Sequence, residues 1–549
     1  MEPHRLRAPA ADGAVLAEPP LAAAVDRLAE NAARLAAWDY DFQGRRADRL
    51  RALARYQVRA RARAYHERFG LDLDLPEADD PARPVVVTGH QPELFHPGVW
   101  IKNFAIAGIA RQAGAVALNL IVDNDIPKAT AIRVPRETEA GLRALPVLFD
   151  DWAGEIPYED LAVQDEGLFA SFGDRVLAAL AGQVPDPIIE EYWPLARAAA
   201  HATDRLGLRL AAARRRLEGS WGVANAEAPL SDLCETEAFL WFASHLLAQL
   251  PRFQEVHNGA LLRYRQLYGI RSKHHPVPAL AREGDWLEAP FWIWRAESPR
   301  RRPLLARQRA RTLELRIGGE ATPLMELPLG PDREACCAVE QLRELPARGI
   351  RLRTRALTTT MFARLLLGDL FLHGIGGAKY DELGDEIIRR FFGIEPPTYL
   401  TLSMTLWLGL PDEPVTADDL KAVERLLRDL TYNPDRHLNE PIPPDVAAWI
   451  EAKRRAIAAP QATRHQRVAR CREIRRCNAA LQEAVAAQRE RLQTERARLA
   501  AALRRNKVAR HREYSFVLQS RSRLRSAFAR VVPGVLTGST EKIFRNSGL

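Results

Sequence analysis

Apolar positions along the chain change period several times, and each change marks an element. From Leu21 to about Phe69 the spacing is helical, with Ala and Leu on one side and Arg, Glu and Asp on the other. An acidic, Pro-containing linker, Leu71 to Pro84, precedes a short Val-rich run, Pro84 to Val87, which has the make-up of a fully buried strand. Gly89 is expected to break that strand, and a polar loop punctuated by Pro follows from His90 to Gly98. Ile101, Phe104, Ala105, Ile106, Ile109 and Ala110 then recur at helical spacing from Val99 to Ala113, and Gly114 ends the helix. A second buried strand, Val116 to Val122, runs into Asp123-Asn124-Asp125. Strand, loop, helix and strand within about fifty residues make a βαβ unit. Its polar residues gather at the carboxyl ends of both strands, where open α/β sheets bind ligands.

Beyond Pro135 strands and short helices are expected to alternate to about Pro185, and 186–250 reads as largely helical. Residues 251–330 change character: Trp286 to Arg295 holds three tryptophans and Arg311 to Ile317 alternates, the mark of a small antiparallel insertion. The tryptophans suit a domain core or interface, or a stacking platform for a base or sugar. Thr358 to Leu370 predicts a helix and Phe371-Leu372 a strand end. His373-Gly374-Ile375-Gly376-Gly377 then reads as a Gly-rich turn feeding a helix that starts near Lys379 or Tyr380. Backbone amides at such a turn and the positive end of the helix dipole can bind an anion, although glycines serve tight turns equally well. From about Asp412 the chain is helical and increasingly basic. Ile474, Leu481, Val485, Leu492 and Leu499 supply heptad spacings for a coiled-coil seam, and Pro460 separates this helix from the one before it. The expected organisation is an N-terminal helical segment (1–83), a first part of an α/β core (84–250), an inserted β-containing segment (251–350), a second core part carrying the Gly-rich turn (351–411) and a C-terminal helical, coiled-coil region (412–549).

A chain of 549 residues exceeds what one core ordinarily holds, and 47% hydrophobic with 27% charged residues describes a globular protein. The first residues, Pro- and Ala-rich to position 20, read as poorly ordered and carry no apolar leader. No run of eighteen apolar residues predicts a membrane span. Five cysteines without CxxC spacing suit a reducing cytoplasm. Net charge is +9, and of 79 basic residues only eight are lysines. Lys102, Lys128 and Lys379, three of those eight, fall in the two motif regions, and only Lys offers a compact ammonium with a tunable pKa. The Arg-rich stretch 461–510 reads as a solvated helical hairpin, since aromatics for base stacking are scarce there and nucleic acid is disfavoured as a partner. Cys471, Cys477 and His465 do not share a helix face well enough for a metal.

Candidate chemistry sits in three places. Thr88, Gly89, His90, Gln91, His96 and Gly98 form the first loop, with Lys102 and Asn103 on the following helix; histidines near a helix N-terminus suit phosphate, carboxylate or a developing anion. Asp123, Asn124 and Asp125, with Lys128 behind, offer paired carboxylates to orient an amine, act as base or hold Mg²⁺; Asp-Asn-Asp is also a common turn composition. His373, Gly374, Gly376, Gly377 and Lys379 are the third group. Lys273-His274-His275-Pro276 is a further polar cluster with no assigned partner. GxSxG, HExxH, Walker A and GxGxxG are absent, which argues against several large enzyme classes. His96-Pro97-Gly98-Val99 resembles the HxGH signature of class I aminoacyl-tRNA synthetases and nucleotidylyltransferases, with Val99 in place of the final His.

Across most of the chain, order and spacing resemble the BshC-type cysteine-adding enzymes of bacillithiol biosynthesis. VVVTGHQPELFHPGVWIKNFAIAGIA is similar to that family's strand, Gly-Gln-Gln loop and helix, with Gly89-His90-Gln91 at the loop. LNLIVDNDIPKATAIRVP lies where the family has a strand ending in an acidic motif, at Asp123 to Lys128. LFLHGIGGAKYDELGDEIIRRFFGIEPPTYLTLSMTL is similar to its Gly-rich stretch. The chain departs at His90, at His96 to Gly98, and at Asp123 to Lys128. The resemblance implies a Rossmann-like parallel-sheet core of nucleotidylyltransferase type with inserted segments, and a homodimer through the coiled coil. It also implies joining of cysteine, through its carboxyl group, to the amine of glucosaminyl malate. Amide formation from a free carboxylate normally needs activation, so ATP or another activated form is expected; the cofactor itself is left open, with ATP or ADP and Mg²⁺ as candidates. His90, His96, Asp123 and Asp125 are the expected catalytic residues. The substrate is a small molecule. Alternatives are nucleotidyl transfer to another substrate, and a non-enzymatic binding protein with a basic coiled coil.

Overall fold

A computed structural model describes residues 6–73, 75, 80 and 83–536. The first five residues, half of the acidic linker and residues 537–549 lie outside it. The chain divides into two units: residues 1–134, 145–408 and 512–549 form the first, and residues 135–144 and 409–511 the second. The protein is a mixed α/β protein whose core is a parallel sheet.

Five parallel strands make that core: Leu400–Met404, Leu370–His373, Val85–His90, Val116–Ile121 and Ala226–Pro229, in that order across the sheet. Val15–Glu18 adds an antiparallel edge strand beside Leu400–Met404, so this part of the Pro- and Ala-rich N-terminus is ordered by ladder bonds rather than loose. The chain starts the parallel sheet in its middle, builds outward through Val116–Ile121 and Ala226–Pro229, then returns to the other side. The order therefore reverses between Val85–His90 and Leu370–His373. The predicted βαβ unit is present, with the helix running Pro97–Ala113 between two adjacent parallel strands.

Several elements differ from their reading in the sequence. The central strand does not stop at Gly89: Gly89 and His90 pair with Leu120 and Ile121, and a Cβ at Gly89 would stand 3.1 Å from the Leu120 carbonyl oxygen. Glycine here permits a close strand approach. The next helix starts two residues earlier than expected because Pro97 fits its first turn and His96 caps it, Nδ1 accepting from the Gly98 amide at 3.1 Å. Ala226–Pro229 was illegible as a strand, since its Glu227 is buried in the sheet and neutralised by Arg214 at 2.7 Å. The predicted Thr358–Leu370 helix ends at Phe362 and passes through a π turn, Ala363–Leu367. The helix after the Gly-rich stretch starts at Ile375, so Gly376 and Gly377 are its first turn and not a loop.

The long N-terminal helical pattern is two helices, Ala24–Ala36 and Ala47–Phe69, separated by a turn in which Gln43 takes a left-handed φ of 54°. Arg51 and Arg55 on the second hold Asp369 at 3.0 and 2.6 Å, and Asp369 accepts the Val85 amide at 2.9 Å. This buried ion pair fixes the amino ends of the two central strands relative to each other. The inserted segment begins with the helix Leu250–Tyr268 and continues as an antiparallel sheet ordered Met325–Leu327, Leu313–Ile317, Ser298–Gln308, Trp286–Arg295, Ile350–Thr354. Helices also cover 186–250 as expected: Ile189–Ala198, Leu206–Ser220 and Glu237–Ala248.

The second unit is helical: Ala417–Tyr432, Pro444–Ala458, Arg464–Ala480 and Ala486–Ala509. The first packs on the last and the two middle helices pack together. The heptad residues do not lie on one continuous helix. Ile474 is on the third, Leu481 and Val485 lie in the break, and Leu492 and Leu499 are on the fourth. Leu481, Val485 and Leu499 are buried within the unit. No helix among the described residues is long and apolar enough to cross a membrane.

Candidate active site

The carboxyl ends of the two strands at the reversal point open into a cavity of about 1100 Å³ within the first unit. His90 ends one strand and His373 the other. Gly89, Gln91, His96, Gly98, Lys102, Asn124, Asp125, Lys128, Gly374, Gly376, Gly377 and Lys379 line the same space. Three segments far apart in sequence thus meet because parallel strands deliver their ends to one edge of the sheet.

Charge in the cavity is unbalanced. Lys102, Lys128 and Lys379 are joined by Arg301 and Arg355 from the inserted sheet and by Arg512 from beyond the helical unit, against the carboxylates of Asp125 and Glu513. Lys102 is buried, with Nζ donating to the Gly89 carbonyl at 3.1 Å, and burial pushes its ammonium down to about 8. His90 lies beside it; burial and the Lys102 charge push the imidazole down to about 3, so the ring is neutral. Its Nδ1 donates to the Gln91 carbonyl at 3.1 Å, which leaves the Nε2 lone pair as acceptor. Gly98 is there for packing: a Cβ would stand 2.3 Å from the Met404 carbonyl and 2.9 Å from Ser403 Oγ.

Asp125 is organised by its neighbours. One oxygen accepts from Gln91 Nε2 at 2.7 Å; the other accepts from Arg301 Nη1 at 2.6 Å and from the Ile126 amide at 2.9 Å. Asn124 donates to the Thr354 carbonyl at 2.9 Å and ties the strand end to the inserted sheet. Arg301 and Arg355 both lie over the Trp292 ring, at 5.2 and 4.0 Å from its centroid. Of the three clustered tryptophans, Trp294 is core, donating to Asp160 at 2.8 Å, while Trp292 lines the cavity. His275 of the unassigned His-His-Pro cluster lines it too, as does His257, which burial pushes down to about 4.

Three predicted residues are elsewhere. Asp123 faces a separate cavity of about 520 Å³ and is held by Ser231, whose amide donates at 2.9 Å and hydroxyl at 2.5 Å. Burial, with the Glu159 charge, pushes its carboxyl up to about 8. The expected Asp123–Asp125 pair therefore does not converge. The strand ends at Ile121, and the turn that follows sends the two side chains apart. With Asp125 already occupied by two side-chain donors, the pair does not fit a Mg²⁺ site, and no group of three His, Cys, Asp or Glu among the described residues converges on a metal position. Thr88 is buried between strands, donating to the Leu372 carbonyl at 2.9 Å. Asn103 belongs to a buried network, donating to Glu218 at 2.7 Å. Arg301, Arg355 and Arg512 were missed because no local pattern marks them. The crossing of the insertion over the strand ends brings in the first two, and the C-terminal segment brings in Arg512.

No protein-family model matches the chain, and no curated protein matches it. The functional reading rests on the cavity.

Proposed function

We propose that the chain is a BshC-like ligase that joins an amino acid carboxylate, cysteine as first candidate, to the amine of an acidic sugar-malate-type acceptor. The observation that carries this reading is the convergence of Lys102, Lys128, Lys379, Arg301 and Arg355 at the carboxyl ends of the two strands where sheet order reverses. Ligands of doubly wound sheets bind at that point, and the parallel order, counted along the chain as 3-2-1-4-5, supports a Rossmann-like core.

These cations, with the open face of Gly374 and Gly376, suit the phosphates of ATP and the carboxylates of an acceptor. ATP would supply an activated acyl donor, its Mg²⁺ carried on the phosphates. Lys102 and Lys128 would neutralise the leaving group, and the Asp125–Arg301 pair would orient the acceptor. His90 is neutral and suited to accept a hydrogen bond through Nε2. A homodimer through the helical second unit would use its outer surface, since Leu481, Val485 and Leu499 of the heptad spacing are buried within the unit.

The test is a mass-resolved incubation with cysteine, glucosaminyl malate and Mg²⁺, with and without ATP. A product of condensed mass that depends on Lys102 supports the reading; no product from any amine or amino acid tried, with no stabilisation by ATP, rejects it. Nucleotidyl transfer is the second reading, favoured by His96 capping a helix at the cavity. It is recognised by pyrophosphate release without an amino acid.

A further inference from the structure

His373 ends the strand beside the reversal point and is buried, yet its ring lines the cavity. Its Nε2 lies 2.7 Å from Asp381 Oδ2. Asp381 also accepts from Thr360 Oγ1 at 2.8 Å and from Arg364 Nη1 at 2.7 Å. Burial alone would raise the Asp381 carboxyl, but Arg364 and His373 overcome it and hold the acid well below the usual carboxylate range. An ionised Asp381 is an acceptor only, so the ring donates Nε2–H to it and a neutral His373 carries its lone pair on Nδ1.

Among the described residues Nδ1 takes no hydrogen bond. A Cβ at Gly377 would stand 2.6 Å from it, whereas Gly374 and Gly376 face open space with nothing within 4 Å. Gly377 therefore lets the first turn of the helix pack against the ring without a side chain, and Gly374 and Gly376 add none to the cavity beside it.

We propose that His373 and Asp381 are a catalytic dyad in which His373 Nδ1 removes the proton of the acceptor amine as it attacks the activated carboxyl carbon. This rests on the ligase reading above, with the donor a mixed carboxylic–phosphoric anhydride formed from ATP. The C–N bond forms, the bond from the acyl carbon to the phosphate oxygen breaks, and the phosphate leaves with the electron pair. The amine proton moves to Nδ1, and the resulting imidazolium faces the Asp381 carboxylate.

Charged groups reach the ring from several elements: Asp381 from the helix Ile375–Ile387, Arg364 from the π turn, Lys102 from the helix Pro97–Ala113. The rings of Tyr380 and Tyr399 stand nearly perpendicular to it. Burial lowers the His373 pKa, the cations add to this, and Asp381 opposes them without winning. The base form is thus present at neutral pH and is lost as pH falls below the ordinary histidine range, about 6.5.

The test is kinetic. His373→Gln should lower kcat about 10²- to 10⁴-fold with little change in KM and abolish the acid limb of the pH profile. Free imidazole should restore turnover to His373→Ala. Gly377→Ala, whose methyl would stand 2.6 Å from Nδ1 and push the ring aside, should lower kcat and also cost some Tm. Asp381→Asn should move the acid limb to lower pH, the charge that raises His373 being gone. A His373→Gln enzyme that keeps its rate within threefold, or keeps the acid limb, overturns the dyad while the ligase reading stands. If the wild type makes no amide, the ligase reading fails, and the open dyad is judged by diethyl pyrocarbonate. Modification of His373 at pH 7 that Gly377→Ala blocks supports it; an unmodified His373 overturns it.

Discussion

Asp123 and Asp125 are two residues apart and end in opposite environments. Asp125 faces a cavity walled by lysine and arginine, where Arg301 and Gln91 keep it in place. Asp123 faces a smaller one lined by Glu159, Asp160, Asp204, Asp232 and Glu235, with Arg353 bridging Glu159 and Glu235 at 2.7 and 2.9 Å. In the first, Arg301 pairs with Asp125 and Arg355 with Glu288, and the lysines leave a surplus of positive charge; in the second, carboxylates outnumber the arginines Arg68, Arg205, Arg351 and Arg353. The difference is in the sign of the surplus charge, which sets the sign of ligand each cavity attracts.

The comparison can be broken in four ways, the first three ordered from the largest effect down. Arg353→Met removes the cation from a fully buried pair in the second cavity and should cost about 3–5 kcal/mol of stability in urea titration. Turnover per folded molecule should be unchanged; a lost turnover would make that cavity functional. Lys102→Met should slow product formation about 10²- to 10³-fold with a normal melting curve, whereas Asp123→Asn should stay within about threefold of wild type. Equal losses in these two would erase the distinction. Gly98→Ala should destabilise by about 1–3 kcal/mol, because its methyl would press on the Met404 carbonyl; a neutral result would mean the helix start can shift.

The fourth test is one of pH. The Asp123 carboxyl lies at about 8 in the folded chain against an ordinary 3.8. The folded state then binds more protons than the unfolded state between those values, so this group's contribution to stability falls as pH rises from about 4 to about 8. Asp123→Asn should gain on wild type across that window, read as the difference in Tm. A constant difference would place Asp123 in a more solvated setting.

Much of the core was legible. Valine runs gave the two central strands, and the helical spacing after Gly98 gave the connecting helix and hence the sheet edge where ligands bind. His90, His96, Lys102, Asp125, Lys128, His373 and Lys379 were all found there. The four-residue strand at Ala226 was not legible, because its buried Glu227 looks solvent-facing until Arg214 is seen beside it. Nor was the split of the heptad seam, since a periodic pattern carries across a helix break unchanged.

What the sequence determined by itself is local: strands from apolar runs, helices from periodicity and caps, and the polar residues at strand ends. These follow from side chains within a few positions of one another. The tertiary structure decided which of those residues share a space. It separated Asp123 from Asp125 by the turn that follows the strand end at Ile121. It brought Arg301, Arg355 and Arg512 to the lysines through an inserted sheet and a distant C-terminal segment. It set Asp381 behind His373, at the edge of the same cavity. Such groupings depend on how strands order across the sheet, and no neighbour-to-neighbour pattern encodes that order.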